Sequence, residues 1–153
     1  MLGNMIHRGR TGQRIESNKN QVEGPRIARE KETVLHMISI FCKSKHKNAD
    51  KETLRVELSN NSKSSTHDIE VELCHDCLEL QQYASKRLSL CRFGEKKSTC
   101  ANCPVHCYAL TQRENIKEVM RYAGPRMLWN HPVLTIRHML DGRGNRTLRE
   151  LGS

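Results

Sequence analysis

The chain has 153 residues, room for one domain with loose ends. Only 36% of residues are apolar and 4% aromatic, so the core is lean and a metal site would supply part of what it lacks. A formal net charge of +9 directs the surface toward nucleic acid or an anionic small molecule, unless it amounts to no more than a solvated basic face. No apolar run of about 18 residues is present, so no membrane span is expected. MLGNMIHRGRTGQRIESNKNQ lacks the apolar centre of a secretory signal. Seven cysteines without an export signal point to the reducing cytoplasm, where clustered thiols serve as ligands or redox groups rather than disulfides.

Residues 1–24 are polar, without apolar periodicity, and read as a disordered arm. Pro25 suits the first turn of a helix running to about Ser44. Its apolar face is Ile27, Val34, Leu35, Ile38, Phe41 and Cys42, which makes Cys42 a small core residue. Residues 45–67 form a variable connector in which Leu54, Val56 and Leu58 alternate with charges as in a short strand. Ile69, Leu73, Cys77, Leu80, Ala84, Leu88 and Cys91 then recur at spacings of three and four, which predicts one continuous helix. Gly94 ends it, and a cysteine-rich loop follows.

Thr111-Gln-Arg-Glu114 reads as a capping box. The helix it opens carries Ile116, Val119, Met120 and Ala123 on one face and closes at Gly124-Pro125. A short helical turn holds Met127, Leu128 and Trp129, with Trp129 as a candidate core anchor. Asn130 or His131 caps a last helix that starts at Pro132, carries Val133, Ile136 and Leu140, and stops at Asp141-Gly142. Residues 143–153 are a basic tail. The expected class is all-α: about four helices and a cysteine-rich metal-binding loop in a domain spanning 25–142.

The cysteines divide by geometry. On an unbroken helix Cys77 and Cys91 stand about 21 Å apart along the axis, far beyond the roughly 2.3 Å of a zinc–sulfur bond. Cys91, Cys100, Cys103 and Cys107, spaced Cys-x8-Cys-x2-Cys-x3-Cys, form the candidate ligand set. Four thiolates suit a structural zinc ion or an iron–sulfur cluster. Pro104 and the tight spacing lean toward the cluster, and His106 could replace one ligand. Cys74 and Cys77 form a second pair, a redox dithiol or part of another site if Cys42, His36 or His67 folds onto it. Against this, Cys77 fits the apolar stripe as core. A zinc ribbon of Cys74-x2-Cys77 and Cys100-x2-Cys103 leaves Cys91 and Cys107 over and is less economical.

CRFGEKKSTCANCPVHCY, followed by REN-I-KEVMRYAGPRMLWNHPVLTIRHMLD, YASKRL at 83–88 and, more loosely, PRIAREKETVLHMI at 25–38, resembles the nitrous oxide-stimulated promoter protein family of bacteria. The resemblance covers about residues 25–44 and 70–141. It implies a thiolate centre on Cys91, Cys100, Cys103 and Cys107, and a role under nitrosative stress with no named reaction. Thiolate-bound iron reacts with nitric oxide and zinc thiolates are nitrosated, so the resemblance does not choose the metal.

Arg121, Arg126, Arg137, His131 and His138 could ring that centre and hold an anion or lower thiol pKa values; the plainer reading is a solvated basic face. No helix-turn-helix, phosphate loop, Ser/His/Asp set or carboxylate pair is evident. Two functions follow: a small cytoplasmic four-cysteine metalloprotein of the nitric oxide response, iron–sulfur before zinc, or a zinc-stabilised basic nucleic-acid-binding or regulatory module.

Overall fold

The computed structural model describes residues 24–60, 65–96, 99–100, 103 and 107–143. The N-terminal arm up to residue 23 and the tail from residue 144 lie outside them.

Helix α1 spans Pro25–Lys45, with Pro25 in the first turn, where its missing N–H costs nothing. Ile27, Val34, Leu35, Ile38, Phe41 and Cys42 are all buried, the face expected from their spacing. Lys43 and Lys45 lie in the last turn, where cations complement the helix dipole. His46 follows as C-cap, its N–H donating to the Cys42 carbonyl at 3.0 Å.

The chain is not all-α. β1 (Lys51–Asn60) and β2 (Ser65–Cys74) form an antiparallel hairpin, from Asn60 opposite Ser65 to Lys51 opposite Cys74. The alternation around Leu54 and Val56 does make a strand. The overturned expectation is the helix from Ile69. Ile69, Val71 and Leu73 alternate with Asp68, Glu70 and Glu72, and a paired strand puts all three on one buried face. Leu54 lies opposite Val71 and Val56 opposite Ile69, so the apolar face is shared and packs beneath α1. The outer face carries a cross-strand ion pair between Arg55 and Glu70. The spacing of four from Ile69 through Leu73 to Cys77 matched a helix only because a strand hands over to a helix between them.

Helix α2 (His75–Ser89) starts with Cys74 as N-cap. It buries Cys77, Leu80, Ala84 and Leu88, the helical part of the expected stripe. Gly94, at φ 47°, turns the chain in the left-handed region that glycine tolerates and opens a short 3₁₀ turn, Gly94–Lys96.

Helix α3 (Leu110–Asn130) runs through Pro125, where the sequence predicts a stop. Pro125 removes one backbone donor, but Ala123 before it and Met127 after it are both fully buried. They continue the stripe of Ile116 and Val119 at spacings of four, and that packing carries the helix across. The capping box does not form: Ala109 is the N-cap without a side-chain bond, and Glu114 pairs with Lys117 at 2.9 Å. Trp129 is 86% exposed and anchors no core.

Helix α4 (Pro132–Arg143) starts where expected. His131, between the two helices, stacks on His36 of α1 with ring centroids 3.9 Å apart.

Leu35 is fully buried, so Leu35→Ala should cost about 2–5 kcal/mol in urea unfolding; Trp129→Ala should stay within about 0.5 kcal/mol. Burial, then the neighbouring His36, holds the His131 imidazole below its ordinary value of 6.5. Neutral His131 therefore contributes stability that is full above that value and lost as pH falls below it. Between about pH 7.5 and 5.5, wild type should lose more stability than His131→Asn; equal losses would contradict the assignment.

Candidate metal centre

Three elements converge where α1 ends, the hairpin closes and α2 begins. Cys42 comes from the last turn of α1 and His46 from its C-cap. Cys74 ends β2 and caps α2, and Cys77 lies in the first turn of α2. Their ligand atoms (three Sγ and one imidazole nitrogen) all lie within 4.8 Å of one another. His46 Nδ1 stands 3.2 Å from Cys74 Sγ and 3.3 Å from Cys77 Sγ. The Cys74 N–H donates to Cys42 Sγ at 3.3 Å, the backbone N–H to sulfur contact that supports a ligating thiolate. Phe41 meets the His46 ring edge-on, centroids 5.5 Å apart, and holds its orientation.

Cys42 is fully buried, Cys77 is 3% and Cys74 5% exposed. Burial raises the Cys42 thiol above its ordinary value. The Cys77 thiol is driven up further, by burial first and then by a hydrogen bond to Cys74 and the nearby Cys42. Thiolates this close in a poorly solvated space repel one another, and a cation among them would offset that charge. Thiolate with imidazole is a donor set for zinc or iron. A cleft of about 720 Å³, lined among others by Ser44, Lys45, His46, Cys74 and Asp76, reaches the edge of the group from solvent.

Sequence reasoning named Cys74 and Cys77 as a possible second site and Cys42 as a residue that might join them, then preferred Cys42 as core. It missed His46. The available signal was Cys42-x3-His46, one helical turn apart at the end of α1, with Cys74-x2-Cys77 downstream. This is the half-site spacing of zinc ligands. Neither His36 nor the loop cysteines join the group.

Cys91, Cys100, Cys103 and Cys107 lie at the other end of α2. Cys91 follows the C-cap of α2 and is half-buried. Cys100 and Cys103 are half-buried and joined by a turn, Cys103 N–H to Cys100 carbonyl at 3.4 Å, while Cys107 is exposed. The four do not form a compact ligand group among the described residues. Cys100 and Cys107 lie near a tyrosine pair: Tyr83 and Tyr108 meet edge-on at 5.4 Å, and the Tyr83 hydroxyl accepts the Ala109 N–H at 2.8 Å. Burial raises the Tyr108 hydroxyl, with the nearby Cys100 and Cys107 adding to it. The unbroken α2 keeps the two cysteine sets about 20 Å apart, so no single centre holds both.

The basic candidates separate by side. His138 Nδ1 lies 3.2 Å from the buried Glu30 carboxylate, and His131 stacks on His36; both turn toward α1. Arg121, Arg126 and Arg137 are exposed, and Arg126 lies over the Tyr122 ring at 3.8 Å. Among the described residues, no helix is long and apolar enough to cross a membrane.

The family described as nitrous oxide-stimulated promoter has a sequence model that matches residues 25–150. A curated relative of Escherichia coli strain K12, described as uncharacterized protein YgbA, is 41% identical over 122 residues, 80% of this chain and 86% of the relative. No solved structure matches. The matched span contains the whole of α1, the hairpin, both cysteine sets and α4, and the chain belongs to the nitrous oxide-stimulated promoter family.

Proposed function

We propose that this chain is a small cytoplasmic metalloprotein of the response to nitrogen oxides, built on one ion held by Cys42, His46, Cys74 and Cys77. The observation that carries the reading is the convergence of four donor atoms, from three elements, within 4.8 Å. A tetrahedral ion with bonds near 2.3 Å to sulfur and 2.0 Å to nitrogen sets its ligands about 3.5–3.8 Å apart, so these atoms need only small adjustments. A polynuclear cluster spreads its ligands wider than one ion does. Zinc fits the buried three-cysteine, one-histidine set best and would tie α1 to the hairpin and α2.

The loop set is the second part of the proposal. Cys91, Cys100, Cys103 and Cys107 are the ligands of an iron–sulfur cluster or of a second thiolate-bound ion. Half-burial of Cys91, Cys100 and Cys103 beside the exposed Cys107 supports a centre open to small reagents, since thiolate chemistry follows access. Thiolate-bound iron and zinc both react with nitric oxide, which links this set to the family's nitrogen-oxide association.

Metal analysis of protein purified without oxygen should find one zinc ion per chain at the first site. In cobalt-substituted protein, Cys42→Ser should lower the number of bound thiolates from three to two, read in the sulfur-to-metal charge-transfer bands. Chelation should cost several kcal/mol of stability, on the order of a structural zinc site. Wild type with no metal at all would overturn the reading. Cys103→Ala should keep the zinc and lose iron with its sulfide; unchanged iron in that variant would remove the loop assignment and leave the first site standing.

A further inference from the structure

Helix α4 turns Thr135, His138 and Asp141 toward the protein, with Leu134 beside them. Its His138 meets Glu30 at 3.2 Å, and its Asp141 carboxylate meets Arg26 at 3.5 Å and Arg29 at 3.4 Å. The opposite side carries Val133, Ile136, Met139 and Leu140, exposed by 64, 50, 54 and 58%. At 100° per residue these four fall within about 120° of the helix surface. A surface helix ordinarily turns such a stripe to the core; here it faces water. At the end of α3, Leu128 and Trp129 add two more exposed apolar side chains. Monomeric proteins rarely leave a large apolar patch in solvent without a use for it.

The segment that carries this face is free of acids, and the carboxylate beside Leu140, Asp141, is paired with Arg26 and Arg29. From Val119 to Leu140 the sequence contains no aspartate or glutamate, and Arg121, Arg126 and Arg137 are exposed. Apolar side chains, a tryptophan and arginines without acids match the boundary of an anionic bilayer. There aliphatic carbon enters the acyl region, tryptophan sits at headgroup depth and arginines meet phosphates.

We propose that the outer face of α4, with Arg137 and the exposed Trp129 just before it, docks this protein peripherally on an anionic lipid surface. A second copy is disfavoured because self-pairing through this face would bring like-charged arginines together. Nucleic acid is disfavoured because four aliphatic side chains gain nothing from a phosphate backbone. A partner helix is disfavoured because such a helix seats its anchors in an apolar groove. The cavity on this side, about 280 Å³, is instead lined by Arg29, Arg137, Leu140 and Asp141.

Trp129 is the chain's one tryptophan and stands exposed just before α4, so its emission reports on a surface approaching this end of α4. The full chain, as purified with its metal, is mixed with vesicles of phosphatidylcholine alone or with about one-quarter phosphatidylglycerol. The expected result is a blue shift of Trp129 and co-sedimentation with the anionic vesicles only, weakened by added salt. Ile136→Asp and Arg137→Glu should each lower partitioning about tenfold while metal content and melting temperature stay at wild-type values. Failure of wild type to bind anionic vesicles would overturn the proposal, as would equal binding by Ile136→Asp. Concentration-dependent dimerisation without lipid, abolished by Ile136→Asp, would assign the face to a second copy instead. Binding to tRNA that survives Ile136→Asp, with no vesicle binding, would assign the arginines to nucleic acid.

Discussion

The centre of the molecule depends on one electrostatic constraint: three cysteine sulfurs and an imidazole share a volume that water hardly enters. Burial already raises Cys42 and Cys77, so a cation among them would favour their anionic forms. That cation would join what the backbone alone joins weakly. A two-stranded hairpin is marginal by itself. Here its closing residue, Cys74, is both the N-cap of α2 and a neighbour of Cys42 and His46 at the end of α1. The apolar face of Leu54, Ile69, Val71 and Leu73 then packs in the same core as Leu35 and Ile38, so ligand geometry and apolar packing hold the same three elements in one arrangement.

Helix α2 sets the distance between the two cysteine sets and therefore gives them different circumstances. At its N-terminus the thiols are enclosed, and the helix dipole favours negative charge there. At its C-terminus Cys100 and Cys107 lie near Tyr83 and Tyr108, with Cys107 exposed. Reaction of a thiolate with a small oxidant or nitrogen oxide depends on access as well as on charge. Cys107 is open to a reagent in solution, and the enclosed group is approached along the cleft beside His46 and Cys74.

Much of this was legible in the sequence because local pattern and tertiary packing agreed. The six apolar residues of α1 are buried as their spacing required, and Pro25 and Pro132 open their helices. Where they disagreed, packing won. Ile69 and Leu73 fit a helical stripe, but Val71 between them fits only the strand, and the pairing with Val56 and Leu54 decided it. Pro125 should have ended α3, but Ala123 and Met127 found fully buried positions on either side of it. His46 was hidden for another reason: a ligand on a helix cap leaves no periodic signal, and its partners lie 28 and 31 residues away in sequence.

The inversion of α4 bears on the energetics of the whole chain. Only 36% of the residues are apolar, yet Val133, Ile136, Met139 and Leu140 are left in solvent. Polar contacts join the helix to α1: Asp141 with Arg26 and Arg29, and the His138 ring beside Glu30. Ion pairs at a protein surface contribute little, because water serves the same charges nearly as well. The opposite orientation would bury more carbon and leave the charges hydrated, but it would place those side chains beside the buried carboxylate of Glu30, which an apolar neighbour serves poorly. Glu30 on α1 thus makes an apolar contact with α4 costly. Among the described residues, nothing covers the carbon α4 turns outward.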